Sequence, residues 1–141
     1  MGKVKERGQS LVELALSITL LIYLLAGAVE FGLIFFQYVQ LRDAAQEGAL
    51  YAAITYPRDL QKIEERARGA SNSPIDLSDS TVSVEVDFIN KDVYTACEFD
   101  AVEVSVNYPH KVFMPFMNKI TGDYVNLSGK VVDTVMIPVC Q

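Results

Sequence analysis

From Leu14 to Phe36 the chain runs twenty-three residues with a single charge, Glu30, and nothing else so narrows what it can fold into. At about 1.5 Å of rise per residue such a helix is close to 35 Å long, enough to cross the ~30 Å hydrocarbon core of a bilayer. The run therefore reads as a transmembrane helix. Lys3, Lys5 and Arg7 precede it, and basic residues flanking a span mark its cytoplasmic side, so a single-pass protein with its N-terminus inside is expected. A secretory signal over residues 1–28, cut at Ala26-Gly27-Ala28, is the competing reading. It would leave Phe31, Leu33, Ile34, Phe35 and Phe36 as a bare apolar end on the mature protein.

Two carboxylates frame the span. An ionised Asp or Glu at the bilayer centre costs about 2.5–3.5 kcal/mol on insertion scales, so an acid in such a run is a functional candidate until explained. Glu13 stands at the inner mouth of the run. Glu30 follows seventeen residues later, about 25 Å along the axis, where it is expected to reach water or headgroups.

The 141 residues leave room for one small domain beyond the anchor. From Ser71 onward four Lys stand against ten Asp and Glu, a balance of −6 that excludes a nucleic-acid footprint, which needs clustered Lys and Arg. The two cysteines, Cys97 and Cys140, both fall in the part assigned to the outside. An oxidising compartment favours a bridge between them, worth roughly 4 kcal/mol in the chain-entropy model; the alternative is two buried thiols.

Helical periodicity continues past Phe36 through Val39, Leu41, Ala45, Ala49 and Ala53 to Tyr56-Pro57, giving one helix over about 9–56 as span and stalk. In its upper part Ala44, Gly48 and Ala52, with Ala45, Ala49 and Ala53 beside them, form a stripe almost without side-chain bulk. Such a stripe invites close packing, either by the protein's own sheet or by a neighbouring subunit's helix. A short second helix is expected over Arg58–Ala70, then a turn at Ser71-Asn72-Ser73-Pro74. Beyond it the period becomes two. Val82, Val84, Val86 and Phe88 alternate with polar residues, as do Val102, Val104, Val106 and Tyr108; a third strand covers Val125–Ile137, with a bulge or bend expected at Gly129. Asn90-Lys91-Asp92 reads as a hairpin turn, and His110–Asn118 as a loop whose Phe113, Met114, Phe116 and Met117 either cap the core, the favoured reading, or present an apolar contact surface. The fold class is α+β: a long N-terminal transmembrane helix continuing as a stalk, a short helix, and an antiparallel sheet of three to four strands over an outer domain at 57–141.

Catalytic and metal chemistry find no constellation. His110 has no placed nucleophilic partner, Cys97, Cys140 and His110 match no zinc spacing, and Asp76, Asp79, Asp87 and Asp92 lack the ligand loop calcium requires. Asn126-Leu127-Ser128 is a glycosylation triplet of a kind common by chance. No cofactor, metal, nucleic acid or small-molecule substrate is expected, and no enzymatic activity.

Arg7-Gly8-Gln9-Ser10-Leu11-Val12-Glu13-Leu14-Ala15-Leu16, then Val29-Glu30-Phe31-Gly32, then Ala44-Ala45-Gln46-Glu47-Gly48-Ala49-Leu50-Tyr51-Ala52-Ala53 resemble the TadE-like proteins, minor pilins or pseudopilins of the tight-adherence (Tad) branch of type IV pilus systems. The resemblance covers residues 7–53. It implies a cytoplasmic leader, residues 1–8, removed after Gly8 by a prepilin peptidase, with Gln9 as the new N-terminus and Glu13 as the fifth mature residue, pairing with the N-terminal amine of a neighbouring subunit. It also implies a bacterial inner membrane and, as partners, the lipid bilayer, other pilin or pseudopilin subunits and the assembly platform. The sequence departs from the pattern at Leu14, where relatives often carry tyrosine, at Leu50, where arginine is common, and in lacking a proline near Ile18-Thr19-Leu20. The competing class is a static membrane-anchored envelope protein that binds a partner through its outer domain and enters no filament.

Overall fold

The computed structural model describes residues 3–89, 91–114 and 117–137, with side chains from Gly8 onward. Its spine is α1, Lys3–Ile54, an unbroken helix of 52 residues and so about 78 Å long. It ends just before Tyr56-Pro57, because a residue preceding proline is pushed out of the helical region. Helix α2, Leu60–Arg68, starts from an N-cap at Asp59, whose carboxylate accepts the Gln61 N–H at 3.0 Å. It is shorter at both ends than the residue pattern indicates, since Arg58 lies outside the helix and Gly69 closes it by donating to Glu65 O.

Three strands follow: β1, Ser83–Phe88; β2, Ala101–Lys111; and β3, Tyr124–Thr134, with the short helix α3, Asn118–Thr121, between the last two. They form one antiparallel sheet in the order β1-β2-β3. Alternation decides the buried face: Val102, Val104 and Val106 of β2 are buried, while Val84 and Val86 of β1 and Val131 of β3 pack beside them. That face closes on the upper half of α1, where Leu41, Ala44, Ala45, Ala49 and Ala52 are completely buried, with Ile63 and Ala67 of α2 completing the layer. The α+β expectation holds, with three strands among the described residues.

Several local readings change. His110 belongs to β2, paired with Val125, and is buried rather than set in a loop. The strand runs through Pro109 because β1 reaches only to Asn107, so beyond that rung one edge of β2 has no ladder to interrupt. Lys91 N donates to Phe88 O, which makes a turn, but the chain returns to the sheet only at Ala101, so no tight hairpin joins β1 to β2; Asn90 itself lies outside the described residues. Gly129 forms no bulge, as its register opposite Val106 is unbroken. β3 ends at Thr134, after which Val135 exchanges backbone hydrogen bonds with Phe99 and Asp100, and Met136 N donates to Ala53 O at the top of α1.

Candidate functional site

Below residue 37 most of the large side chains of α1 are bare. Leu14, Leu16, Leu20, Leu21, Leu24, Leu25, Phe31, Phe35 and Phe36 are all exposed, and the helix is long and apolar enough to cross a membrane. Water would not tolerate that surface; lipid would. Gly8, Gln9 and Glu13 sit on its exposed lower turns, with open space around Gly8. Among the described side chains Glu13 meets only the Gln9 amide, at 3.4 Å, while Ser17 and Thr19 return their hydroxyls to the carbonyls of Glu13 and Ala15, as hydroxyls in apolar helices do.

Glu30 is treated differently by the fold. Instead of facing water, its Oε1 lies 3.1 Å from His110 Nε2 and accepts the Phe113 backbone N–H at 3.0 Å. The side chains of this pair are 2% exposed for His110 and 12% for Glu30. The imidazole also meets the Phe113 ring edge-on, with centroids 6.0 Å apart. Leaving either member buried and alone would cost the desolvation of a polar group, so each is the condition for the other's burial. The contact fastens the lower end of β2 to the helix. There Phe113 and Met114, with Ile22, Leu25, Val29 and Leu33 of α1, enclose an apolar groove of about 560 Å³.

Higher up, the small-residue stripe is occupied by the protein's own elements. A Cβ on Gly48 would come within 3.1 Å of Ala67 Cβ and 3.2 Å of Val104 Cγ1, so α2 and β2 both press on that position. Ala44, Ala45, Ala49, Ala52 and Ala53 are completely buried along the same stretch. Gly129 answers them from β3: a Cβ there would collide with the backbone of Leu41 and Arg42. Close helix-to-sheet approach, not a bend, is what requires glycine at 129.

Two buried polar side chains complete the junction. Gln40 Nε2 donates to Ile75 O at 2.7 Å and its Oε1 accepts the Ile75 N–H at 2.8 Å, pinning the segment after α2 to the helix. Arg58 donates from Nη1 to Ala96 O at 2.8 Å and from Nε to Ala52 O at 3.3 Å, with its guanidinium 5.7 Å from the Phe88 ring centre. Neither residue stands out in the sequence. His110 carried the one available signal, as the single histidine in a chain with one acid inside its apolar run.

Cys97 is half-buried in the connection between β1 and β2; Cys140 lies outside the described residues, and so does Phe116 of the expected core cap. The Cys97 backbone N–H donates to Asp100, and together with Lys91 it holds the Asp100 carboxyl below the ordinary carboxylate range.

Among the described residues one helix is apolar and long enough to cross a membrane, and its clamping at the upper half to a small α+β domain fits a membrane-anchored protein with one span. The family model for TadE-like protein matches residues 8–50, the span and stalk, in accord with the resemblance seen in the sequence and with association with a Tad pilus. Comparison with curated proteins and with solved structures gives no match.

Proposed function

We propose that this chain is a membrane-anchored minor pilin or pseudopilin that takes part in assembling a Tad-type pilus, a structural subunit rather than an enzyme. The contrast between the two acids of the apolar helix carries the reading. Glu30 has its hydrogen-bond partners within the chain, whereas Glu13 has the Gln9 amide alone among the described side chains. A carboxylate left so at the mouth of a span is best answered by a cation from outside the chain. Cleavage after Gly8 by a prepilin peptidase would make that cation, the free amine of Gln9, on every copy. Opposite charges in low dielectric attract strongly, and pairing removes two groups each costly to leave alone in lipid. Lys3, Lys5 and Arg7 support an N-in orientation in the inner membrane, with the acidic domain outside, where Cys97 and Cys140 would form a bridge.

The intact mass of the membrane-extracted protein tests this reading: it should begin at Gln9 and shift on reduction and alkylation as one disulfide demands. Retention of the first eight residues would remove the amine and with it the filament role. Glu13→Ala should leave insertion and the folded domain unchanged while abolishing co-purification with other pilus subunits. A second reading, the anchored envelope protein that binds through its outer domain, draws on Tyr94 and Phe99, about 80% and 81% exposed at the end of the domain far from the span. It predicts that Glu13→Ala changes nothing.

A further inference from the structure

The lower end of the domain carries apolar side chains that its core does not use. Phe113 is 69% exposed, Ile120 81% and Tyr124 58%, and α3, which bears Ile120, buries none of its residues. Tyr124 forms the last rung of the sheet opposite Lys111, so all three lie at the Glu30 end of the molecule. Their surface continues onto that of α1: Phe113 and Met114 line one groove with Ile22, Leu25 and Val29, and a Cβ on Gly27 would lie 3.5 Å from Met114 Cε.

Height along the helix gives this continuity its meaning. A hydrocarbon core of about 30 Å takes about 20 residues of helix, so a span entered between residues 9 and 13 leaves the core at about residue 30. Met114, level with Gly27, lies on the lipid side of that exit. The clamp of Glu30 to His110 and to the Phe113 N–H sets this depth, because it ties the base of the sheet to a fixed turn of α1.

We propose that Phe113, Met114, Ile120 and Tyr124 form a second membrane contact, immersed in the leaflet from which the domain-bearing half of α1 emerges. The occupant of this surface is the bilayer that α1 crosses, argued from its continuity with the lipid-facing helix; the proposal rests on the reading of α1 as a span. Aromatic and aliphatic side chains beside a polar rim suit the boundary between acyl chains and headgroups, and Lys111, exposed at the end of β2, can extend its ammonium to the phosphates above them. Helix and domain together then meet the membrane at two places, which fixes the tilt and height at which the subunit is offered for assembly.

The chain contains no tryptophan, so a single introduced one reports its own surroundings. The full-length protein is reconstituted at low density in phosphatidylethanolamine–phosphatidylglycerol vesicles as Phe113→Trp, Ile120→Trp, Leu20→Trp or Tyr94→Trp, and quenched with brominated lipid or aqueous iodide. Leu20→Trp reports the span and Tyr94→Trp the far end of the domain. Immersion requires that brominated lipid quench Phe113→Trp and Ile120→Trp several-fold more than Tyr94→Trp, with bromines near the headgroup the most effective. Iodide should show the reverse order. If iodide reaches Phe113→Trp as readily as Tyr94→Trp while brominated lipid quenches Leu20→Trp, the span stands and the second contact is overturned. Protection of Phe113→Trp from both quenchers assigns the surface to a second copy of the chain and also overturns it. If brominated lipid fails to quench Leu20→Trp, the spanning reading falls first.

Discussion

The two halves of α1 share one unbroken helix and have opposite relations to their surroundings. Below residue 37 the large side chains, Leu20, Leu24, Phe31 and Phe35, are exposed; above it the small ones, Ala44, Ala45, Ala49 and Ala52, are completely buried. Hydrophobicity alone would assign them the other way. What the difference teaches is that burial in this chain follows how closely backbones approach, not how apolar a side chain is. The exposed bulk of the lower half suits a neighbour such as fluid lipid, which adapts to any shape. The upper half offers almost none because its neighbours are the backbone of β3, which does not adapt, and the side chains of α2 and β2, which give only slightly.

The largest effect should come from breaking the upper half at its tightest point. Gly129→Val drives a side chain into the Leu41–Arg42 backbone, and a cost of about 3 kcal/mol or more, at the top of the range for overpacking, should remove the cooperative thermal transition of the detergent-solubilised chain. Gly48→Leu comes next, at about 2–3 kcal/mol, since the neighbours it meets are a methyl of Val104 and Cβ of Ala67, which can give slightly. Unchanged stability of the isolated protein together with lost assembly would instead hand the stripe to another subunit. At the border between the halves, Glu30→Ala leaves His110 buried without its partner and should cost about 1–3 kcal/mol. Faster hydrogen exchange at the Phe113 amide, which loses its acceptor, would show the loss locally. Leu24→Ala should be the smallest, within about 0.5 kcal/mol on domain unfolding. A cost of about 2–5 kcal/mol, usual for a buried leucine, would mean that the lower half packs within the chain after all and would erase the contrast.

The span was legible as a continuous apolar run, and the stalk and the strands because they are written in local periodicity. Val82, Val84, Val86 and Phe88 alternate since one face of β1 is covered, and the Ala-Gly stripe recurs every four residues since one side of α1 is. Glu30 was legible as an anomaly but not as half of a pair. Its partner lies eighty residues away, on a strand that the Pro109-His110 sequence reads as ended. Gly129 was legible as a glycine needing a reason, and the reason was misread, since a bend and a close approach leave the same letter. Gln40 and Arg58 gave no signal, because what makes them structural is the backbone carbonyls that long-range folding brings to them.

By itself the sequence determined that a helix able to cross a membrane leads into a small α+β domain, with one acid at the mouth of the apolar run and one within it. Only the tertiary structure decided that Glu30 is answered from within, by His110 and the Phe113 amide, and that the small-residue stripe is filled by the chain's own α2 and β2. The physical reason is range. Solvent and lipid sort side chains residue by residue, leaving a periodic record, whereas a buried hydrogen bond depends on the register at which distant segments meet, which no local pattern encodes.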